Sequence, residues 1–392
     1  MDQPEVCFSL GMGVDSVALA LLWIHDPATR PCPLDRILFV SAMTGDEWPI
    51  TGTMMTDHVL PVFREHHIRY AQIARAGMRD ADGIAVLDDS REPRRMYLRG
   101  PVALSQEMML AGTVPQVGGQ RKCSLKWKGW PADQFLAREI TVSYVQVMGY
   151  EAGERRRAVK DAKANSGRRT GRYPLIEMGW DRLTCQQYIR AQLGVTWPKS
   201  ACVYCPFALT NAEGRERVLD RYAADPRAAL PALMMEHIAR TLNPRQGLAG
   251  SERTAGSRVA AAKTLIGLLE ADPRQQVLLR MHREQLESVP WRLFEVQRAY
   301  RAPGQAPRRL RAIASGSRAE MTAALRAEAT GTTMELSAHD GIERAWRMHR
   351  SPGYPAAEWL LAAAPAGPAD KTGRGFAEAW QNALAAGAPA LW

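Results

Sequence analysis

Two clusters in this sequence have residue types and spacing that suit chemistry. The first is Phe8-Ser9-Leu10-Gly11-Met12-Gly13-Val14-Asp15-Ser16, where two glycines, an aspartate and a serine separate two apolar runs. A small-residue loop that feeds a strand into a helix leaves backbone N–H groups unpaired. The positive end of the helix dipole adds to them, and together they attract an anion. Glycine lets a phosphate come close, because no Cβ intervenes. The second cluster is Trp197-Pro198-Lys199-Ser200-Ala201-Cys202-Val203-Tyr204-Cys205-Pro206-Phe207. Its Cys-x-x-Cys-Pro pair sets two thiols one turn apart in a chain reversal, a spacing that metal sites use. Cys185 lies upstream and Cys123 farther back, so four thiolates are available. Four thiolates suit either a [4Fe–4S] cluster or Zn2+. Cys7 and Cys32 read as buried structural residues.

Three further stretches carry charge. Arg121-Lys122-Cys123-Ser124-Leu125-Lys126-Trp127-Lys128 gathers a thiol among four cations, which lower a thiol's pKa. Gly149-Tyr150-Glu151-Ala152-Gly153-Glu154-Arg155-Arg156-Arg157 follows an apolar run, and its guanidinium groups can clamp phosphate oxygens bidentately. The basic run continues through Lys160, Lys163, Arg168, Arg169 and Arg172, a loop suited to nucleic-acid phosphates. His237, His282 and His339 stand alone at no ligand spacing and read as structural or surface groups.

The elements that must position these residues follow from apolar periodicity. Val6 to Leu10 reads as a short buried strand and Val17 to Ile24 as a helix. Residues 35–42, Ile68 to Ile73 and Thr141 to Met148 read as further strands, with an amphipathic helix from Thr51 to His67. Strands alternating with helices predict an α/β fold with a doubly wound parallel sheet. Ligands of such sheets bind at the carboxyl ends of the strands, which sets the loop after Leu10 and the loop Met43-Thr44-Gly45-Asp46-Glu47 on one edge. Residues 74–122 read as a mostly helical or irregular insertion that would cover the cleft and exclude water. Beyond residue 207 the pattern is mostly helical, with helices over Glu213 to Tyr222, Leu230 to Leu242 and Arg274 to Leu286. Arg298 to Arg326 reads as a linker and a basic helix. The tryptophans at 346, 359, 380 and 392 predict docking onto the body or a partner. The expected domains are 1–175, 176–300 and a basic, Ala/Pro-rich extension over 301–392.

The chain has 392 residues and a formal net charge of +10, which favours a polyanionic partner or substrate. No apolar run is long enough to span a bilayer, and the polar start Met1–Glu5 is not a secretory signal. The expected location is the cytoplasm, with no membrane partner. Disulfides are not expected in that compartment.

The loop Gly11, Gly13, Asp15, Ser16 resembles the PP-loop of the ATP pyrophosphatases, written S-G-G-x-D-S, with Gly11 in place of its first serine and Met12 in place of a glycine. Arg121–Lys128 resembles the Arg-x-Cys-Thr…Lys segment of the PAPS reductase branch. Gly149, Glu154 and Arg157 match that branch's Gly-x-x-x-x-Glu-x-x-Arg. With Tyr173–Phe207, these segments stand in the order found in PAPS-reductase-like proteins of phages and bacteria. These are members of the adenine nucleotide alpha hydrolase (HUP) superfamily that include relatives of the DNA phosphorothioation sulfurtransferase. The similarity covers roughly residues 5 to 300 and includes the aromatic segment Pro290–Phe294.

The resemblance implies a HUP/PP-loop sheet with a helical, cysteine-containing C-terminal part, and an ATP-dependent adenylylating activity that releases pyrophosphate. Ser9, Gly11, Met12, Gly13, Val14, Asp15, Ser16, Met43, Thr44, Gly45, Gly149, Glu154 and Arg157 would line the nucleotide. Asp15 would orient Mg2+ or the loop, and Ser16, Arg157 and Arg121 would act on the transferring phosphorus. Cys123, Cys185, Cys202 and Cys205 would hold a [4Fe–4S] cluster, Zn2+ being the alternative. Three cysteine ligands would leave an iron open for sulfide delivery, whereas four would close it. Sulfur from a persulfide, of the kind a cysteine desulfurase supplies, would pass to DNA, RNA or a metabolite. Sulfonucleotide reductases of the branch use a cysteine near the C-terminus, and this chain has none after Cys205. Two readings of other classes stay open: a nucleic-acid-binding protein with a structural metal site, and a partner-dependent subunit of a modification or defence system. Self-association is also left open.

Overall fold

Strand β1 (Val6–Ser9) shows how the first sheet is built. Val6 and Phe8 turn to one face and pack with Phe39, Trp23 and Val17, while Cys7 turns to the other and packs with Leu38, Val40 and Phe135. That alternation is the period of a strand buried on both sides. The Phe8 ring stacks on Phe39 of the neighbouring strand at 4.7 Å and meets Trp23 edge-on at 5.3 Å.

The computed structural model describes residues 3–117, 122–249, 251–252, 261–262, 264–332 and 334–387. The chain divides into two compact units, 1–104 with 118–205, and 105–117 with 206–392. The boundaries expected near 175 and 300 do not coincide with this division. The cysteine segment belongs with the first sheet, because residues 46–48 and 201–203 exchange backbone hydrogen bonds.

In the first unit, β1 is followed by helix α1 (Val14–His25), β2 (Ile37–Met43), β3 (Tyr70–Arg75) and β4 (Ile84–Ser90). Helix α2 (Trp130–Glu139), β5 (Tyr144–Met148), helix α3 (Arg155–Asp161), β6 (Arg169–Arg172) and helix α4 (Arg182–Leu193) complete it. The six strands lie in the order β4-β3-β2-β1-β5-β6. All neighbours are parallel except β3 and β4, which run antiparallel. The architecture is therefore α/β with a mixed, mostly parallel sheet rather than a wholly parallel one. Strand β4 lies inside the stretch expected to be helical or irregular. Its burial is only partial, so its apolar signal is weak. Two helical stretches widen into π turns, over Met55–Val59 and Leu125–Gly129, two residues before Pro61 and Pro131. Proline has no N–H to close a normal turn there.

The second unit departs most from expectation. Helices α5 (Pro226–Leu242) and α6 (Gln276–Ser288) are present as the spacing predicts. The remainder holds a six-stranded antiparallel sheet where a linker, a basic helix and an Ala/Pro-rich extension were expected. Its strands are Trp291–Tyr300, Arg308–Gly316, Glu335–Ser337, Arg344–Met348, Ala356–Pro365 and Lys371–Thr372, with helix α7 (Arg318–Gly331) between the second and third. The aromatic segment at Pro290–Phe294 opens the first of these strands. Trp346 is buried, and Trp359 meets Trp380 of helix α8 (Phe376–Gly387), so these tryptophans do dock onto the body. Trp392 lies outside the described residues. His237 and His282 are not isolated, since their rings meet edge-on at 5.7 Å. Among the described residues no helix is long and apolar enough to cross a membrane.

Candidate functional site

The carboxyl ends of β1, β2 and β5 bring three loops of the first unit to one edge of the sheet: 10–16, 44–47 and 149–157. The glycine turn is held from within. The Ser16 hydroxyl accepts the Gly11 N–H at 3.2 Å and donates to the Gly13 carbonyl at 3.1 Å. Ser16 thus shapes the loop it belongs to. Gly13 is the N-cap of α1 and offers no side-chain cap, so the first N–H groups of the helix have no side-chain acceptor. Met12, where the motif has glycine, takes a left-handed φ of +57°. That backbone costs a non-glycine residue roughly 1–2 kcal/mol. The Trp197 indole fixes it by donating to the Met12 carbonyl at 3.0 Å, while the Met12 side chain is buried in the core with Val14.

Gly149 must be glycine for a packing reason. A Cβ there would stand 2.7 Å from the Ser16 Cα, so the end of β5 seats directly on the first turn of α1. Ser9 faces the sheet, accepting from the Gln146 amide at 2.9 Å. Arg157 pairs with Glu154 at 2.5 Å, and its guanidinium covers the Tyr150 ring at 4.3 Å. Arg121 lies outside the described residues.

Asp15 is 9% exposed. One of its oxygens accepts from the Arg182 guanidinium at 2.8 Å, and the other, Oδ1, is buried without a hydrogen-bond partner. Burial raises the Asp15 pKa above the usual carboxylate value; Arg182 opposes this, and Glu154 and Glu151 add to it. No local pattern announces Arg182, since it reaches Asp15 across 167 residues.

The turn after β2 is closed on itself. Glu47 accepts the Thr44 N–H at 3.2 Å, the Thr44 hydroxyl at 2.8 Å and the Gly45 N–H at 3.2 Å. Met43 is buried. The polar groups of Thr44 and Gly45, expected to meet a nucleotide, are therefore used within the turn. Thr44 also lies 3.5 Å from the Cys202 sulfur. Lys128 stands 3.5 Å from Glu47. Burial works against the Lys128 charge, but Glu47 and the thiols of Cys202 and Cys123 more than offset it, so its pKa is raised. The Cys202 thiol is pushed well up by burial and by Glu47, with Lys128 opposing. Tyr204 donates to Asp46 at 2.5 Å and fastens the cysteine turn to this loop. Lys128 and Glu47 lie in a basic and an acidic stretch far apart in the chain, and no local pattern pairs them.

The four expected thiols do not converge. Cys202 and Cys205 share one turn, with the Cys205 N–H donating to the Cys202 carbonyl at 3.1 Å, and Cys123 acts on the same Lys128. Cys185 is fully buried in the core beside α1. Burial pushes its thiol up to about 12, and the charges acting on it are Asp15, Glu151, Arg182 and Asp181. Among the described residues no three His, Cys, Asp or Glu side chains are placed to hold a metal ion. As placed, these residues do not fit a four-thiolate centre. Ser200 of the same segment reaches the glycine turn, its hydroxyl lying 2.9 Å from where a Gly13 Cβ would be.

Set against known proteins, the chain matches no family model, no curated protein and no solved structure.

Proposed function

We propose that the first unit is an ATP-dependent adenylylating enzyme of PP-loop type, converting ATP to AMP and pyrophosphate as it activates an acceptor. The observation that carries this reading is the uncapped start of α1 behind Gly11 and Gly13, with Gly149 seated on it and a half-satisfied Asp15 beside it. Backbone N–H groups of the turn would take phosphate oxygens. An acceptor oxygen would attack the α-phosphorus, forming a new P–O bond as the bond to the departing pyrophosphate breaks, and AMP would leave when the sulfur nucleophile displaces it from the acceptor carbon. Arg182, which acts on Asp15, and Arg157, paired with Glu154, would balance the growing charge. Preorganised donors of this kind contribute about 3–4 kcal/mol each at a transition state. Mg2+ carried by the triphosphate would supply further neutralisation. The doubly wound HUP topology, a cytoplasmic setting and sulfur transfer belong to the same reading. An iron–sulfur centre is a separate proposal that would require Cys123, Cys202 and Cys205 to move together from the positions described above, and metal and acid-labile sulfide assays on anaerobically purified protein test it.

The deciding experiment incubates the full chain with α-labelled ATP, Mg2+ and candidate acceptors, including DNA, RNA and thiol metabolites. Release of AMP and pyrophosphate supports the reading; ATP left intact with every acceptor sinks it. A nucleic-acid acceptor is favoured by one specific feature. Arg155, Arg156, Lys160 and Lys163 are exposed on and just after α3, with no acidic partner among the described residues.

A further inference from the structure

Arg182 occupies the first position of α4 and carries a positive charge at a helix N-terminus. The helix dipole disfavours a cation there, so the residue does not serve α4 itself. Its one hydrogen bond among the described residues is to Asp15. A guanidinium has five donors in a planar fork and can take both oxygens of a carboxylate. Here a single nitrogen touches a single oxygen, the second oxygen is orphaned, and the Arg182 side chain is 43% exposed against 12% for Asp15. The pair is half-made, and the guanidinium of the more exposed partner keeps unused donors.

The surrounding charges make this matter. Glu151 and Glu154 both act on Asp15, so the mouth of the glycine turn carries three carboxylates. Such a field repels a polyphosphate unless cations meet it. Arg157 is engaged by Glu154 and the Tyr150 ring. Arg182 is the cation that acts on Asp15, and it has donors to spare.

We propose that Arg182 is shared between Asp15 and the phosphate chain, held by Asp15 in the free protein and turned onto phosphate oxygens when a nucleoside triphosphate enters. Asp15 then acts as a competitor for Arg182 rather than as its support. This rests on the reading of the glycine turn as a triphosphate site.

The test is equilibrium binding of ATP, inorganic pyrophosphate and adenosine to the full chain without Mg2+, for wild type, R182A, R182K and D15N. Wild-type protein binds ATP and pyrophosphate. In R182A both weaken by about tenfold to a hundredfold, the usual worth of a charge-assisted hydrogen bond, while adenosine is unchanged. R182K recovers part of the loss, because the charge returns without the fork. D15N binds ATP as tightly as wild type or more tightly. A merely structural Arg182 predicts otherwise: R182A and D15N would weaken ATP and adenosine alike. That result, an R182A protein with wild-type ATP affinity, or a wild-type chain that binds no ATP overturns the proposal. Pyrophosphate release measured on the same samples separates it from the adenylylation reading. Arginine-dependent ATP binding without AMP formation would leave the proposal standing and remove the enzyme.

Discussion

Glu358 in the second unit and Asp15 in the first are both buried carboxylates held by arginine, yet they are matched differently. Glu358 takes Arg298 at 2.6 Å and the Tyr300 hydroxyl at 3.3 Å on one oxygen, and Arg245 on the other. Burial works to raise its pKa, but Arg298 and Arg245 prevail and hold it below the usual range. Asp340 is likewise shared by Arg240 and Arg344. Asp15 has one arginine on one oxygen, nothing on the other, and a pKa raised by burial. Complete networks fix a structure, whereas incomplete ones hold capacity for something else to bind. The Glu358 carboxylate is fully matched as folded, and the Asp15 carboxylate is not.

The largest effect should come from breaking a finished network. Glu358→Ala leaves Arg298 buried and uncompensated, which costs about 3–5 kcal/mol. Thermal or urea unfolding should show the second unit melting far earlier. A change below 1 kcal/mol would mean that water already satisfies Arg298 and that the two units do not differ as argued.

Next comes acid. His237 and His282 pack between α5, α6 and the first strand of the second sheet, and burial pushes their pKa values down to about 3 and about 4. Above pH 6.5 both states are neutral and the pair is silent. As pH falls through 6.5 the unfolded chain takes up protons that the folded one refuses, so stability drops until about pH 4. For His282 that gap amounts to roughly 3 kcal/mol. Asp15 has the opposite sign. Its raised pKa is a cost at neutral pH that acid relieves. Melting followed from pH 8 to pH 4 should therefore show its larger loss in the second unit, with a smaller one in the first from His25, whose pKa burial also lowers. His282→Phe should flatten that loss, and an unchanged profile would count against the buried pair.

How much of this was legible in the sequence differs between the units for the same reason. The strand at Val6, the turn at Gly11 and Gly13 and the helix after it were readable, because their signals are local: an apolar run, small residues, then helical spacing. Strands β2, β3 and β5 and helices α5 and α6 were readable likewise. The second sheet was not. Trp291–Tyr300 mixes strand-favouring aromatics and valine with Arg292, Glu295, Gln297 and Arg298, which blurs its pattern, and Ala356–Pro365 is alanine-rich, against strand propensity. Pairing across the sheet overrides that preference. Arg298 looked like the start of a basic linker because its partner, Glu358, lies 60 residues on. Arg182 and Asp15 posed the same difficulty at 167 residues. Long-range ion pairs leave no periodic trace.

Gly149→Ala probes the unfinished side. The new Cβ would strike the Ser16 backbone, which cannot rotate away, so the first turn of α1 must shift. The expected cost is about 1–3 kcal/mol of stability. The sharper reading is function, with ATP binding lost while the second unit melts as in wild type. Retained ATP affinity would place the nucleotide elsewhere than at this turn.

The smallest effects come from helix caps, and they run in opposite directions. In the second unit Asn211, Asp225, Thr264 and Ser317 each accept a backbone N–H at the start of their helices. Ser317→Ala should lower stability by about 1 kcal/mol with no change in ATP binding. Gly13 is the position on α1 where such a cap is missing. Gly13→Ser would supply an acceptor for the N–H groups there, and the Ser200 hydroxyl it crowds can rotate aside. Stability should rise by a few tenths of a kcal/mol, while ATP binding falls if the proposed phosphate site is right, because the donors it would use are now occupied. If the capped variant binds ATP as well as wild type, the open end of α1 is a vacancy of no consequence, and the contrast between the units loses its functional meaning.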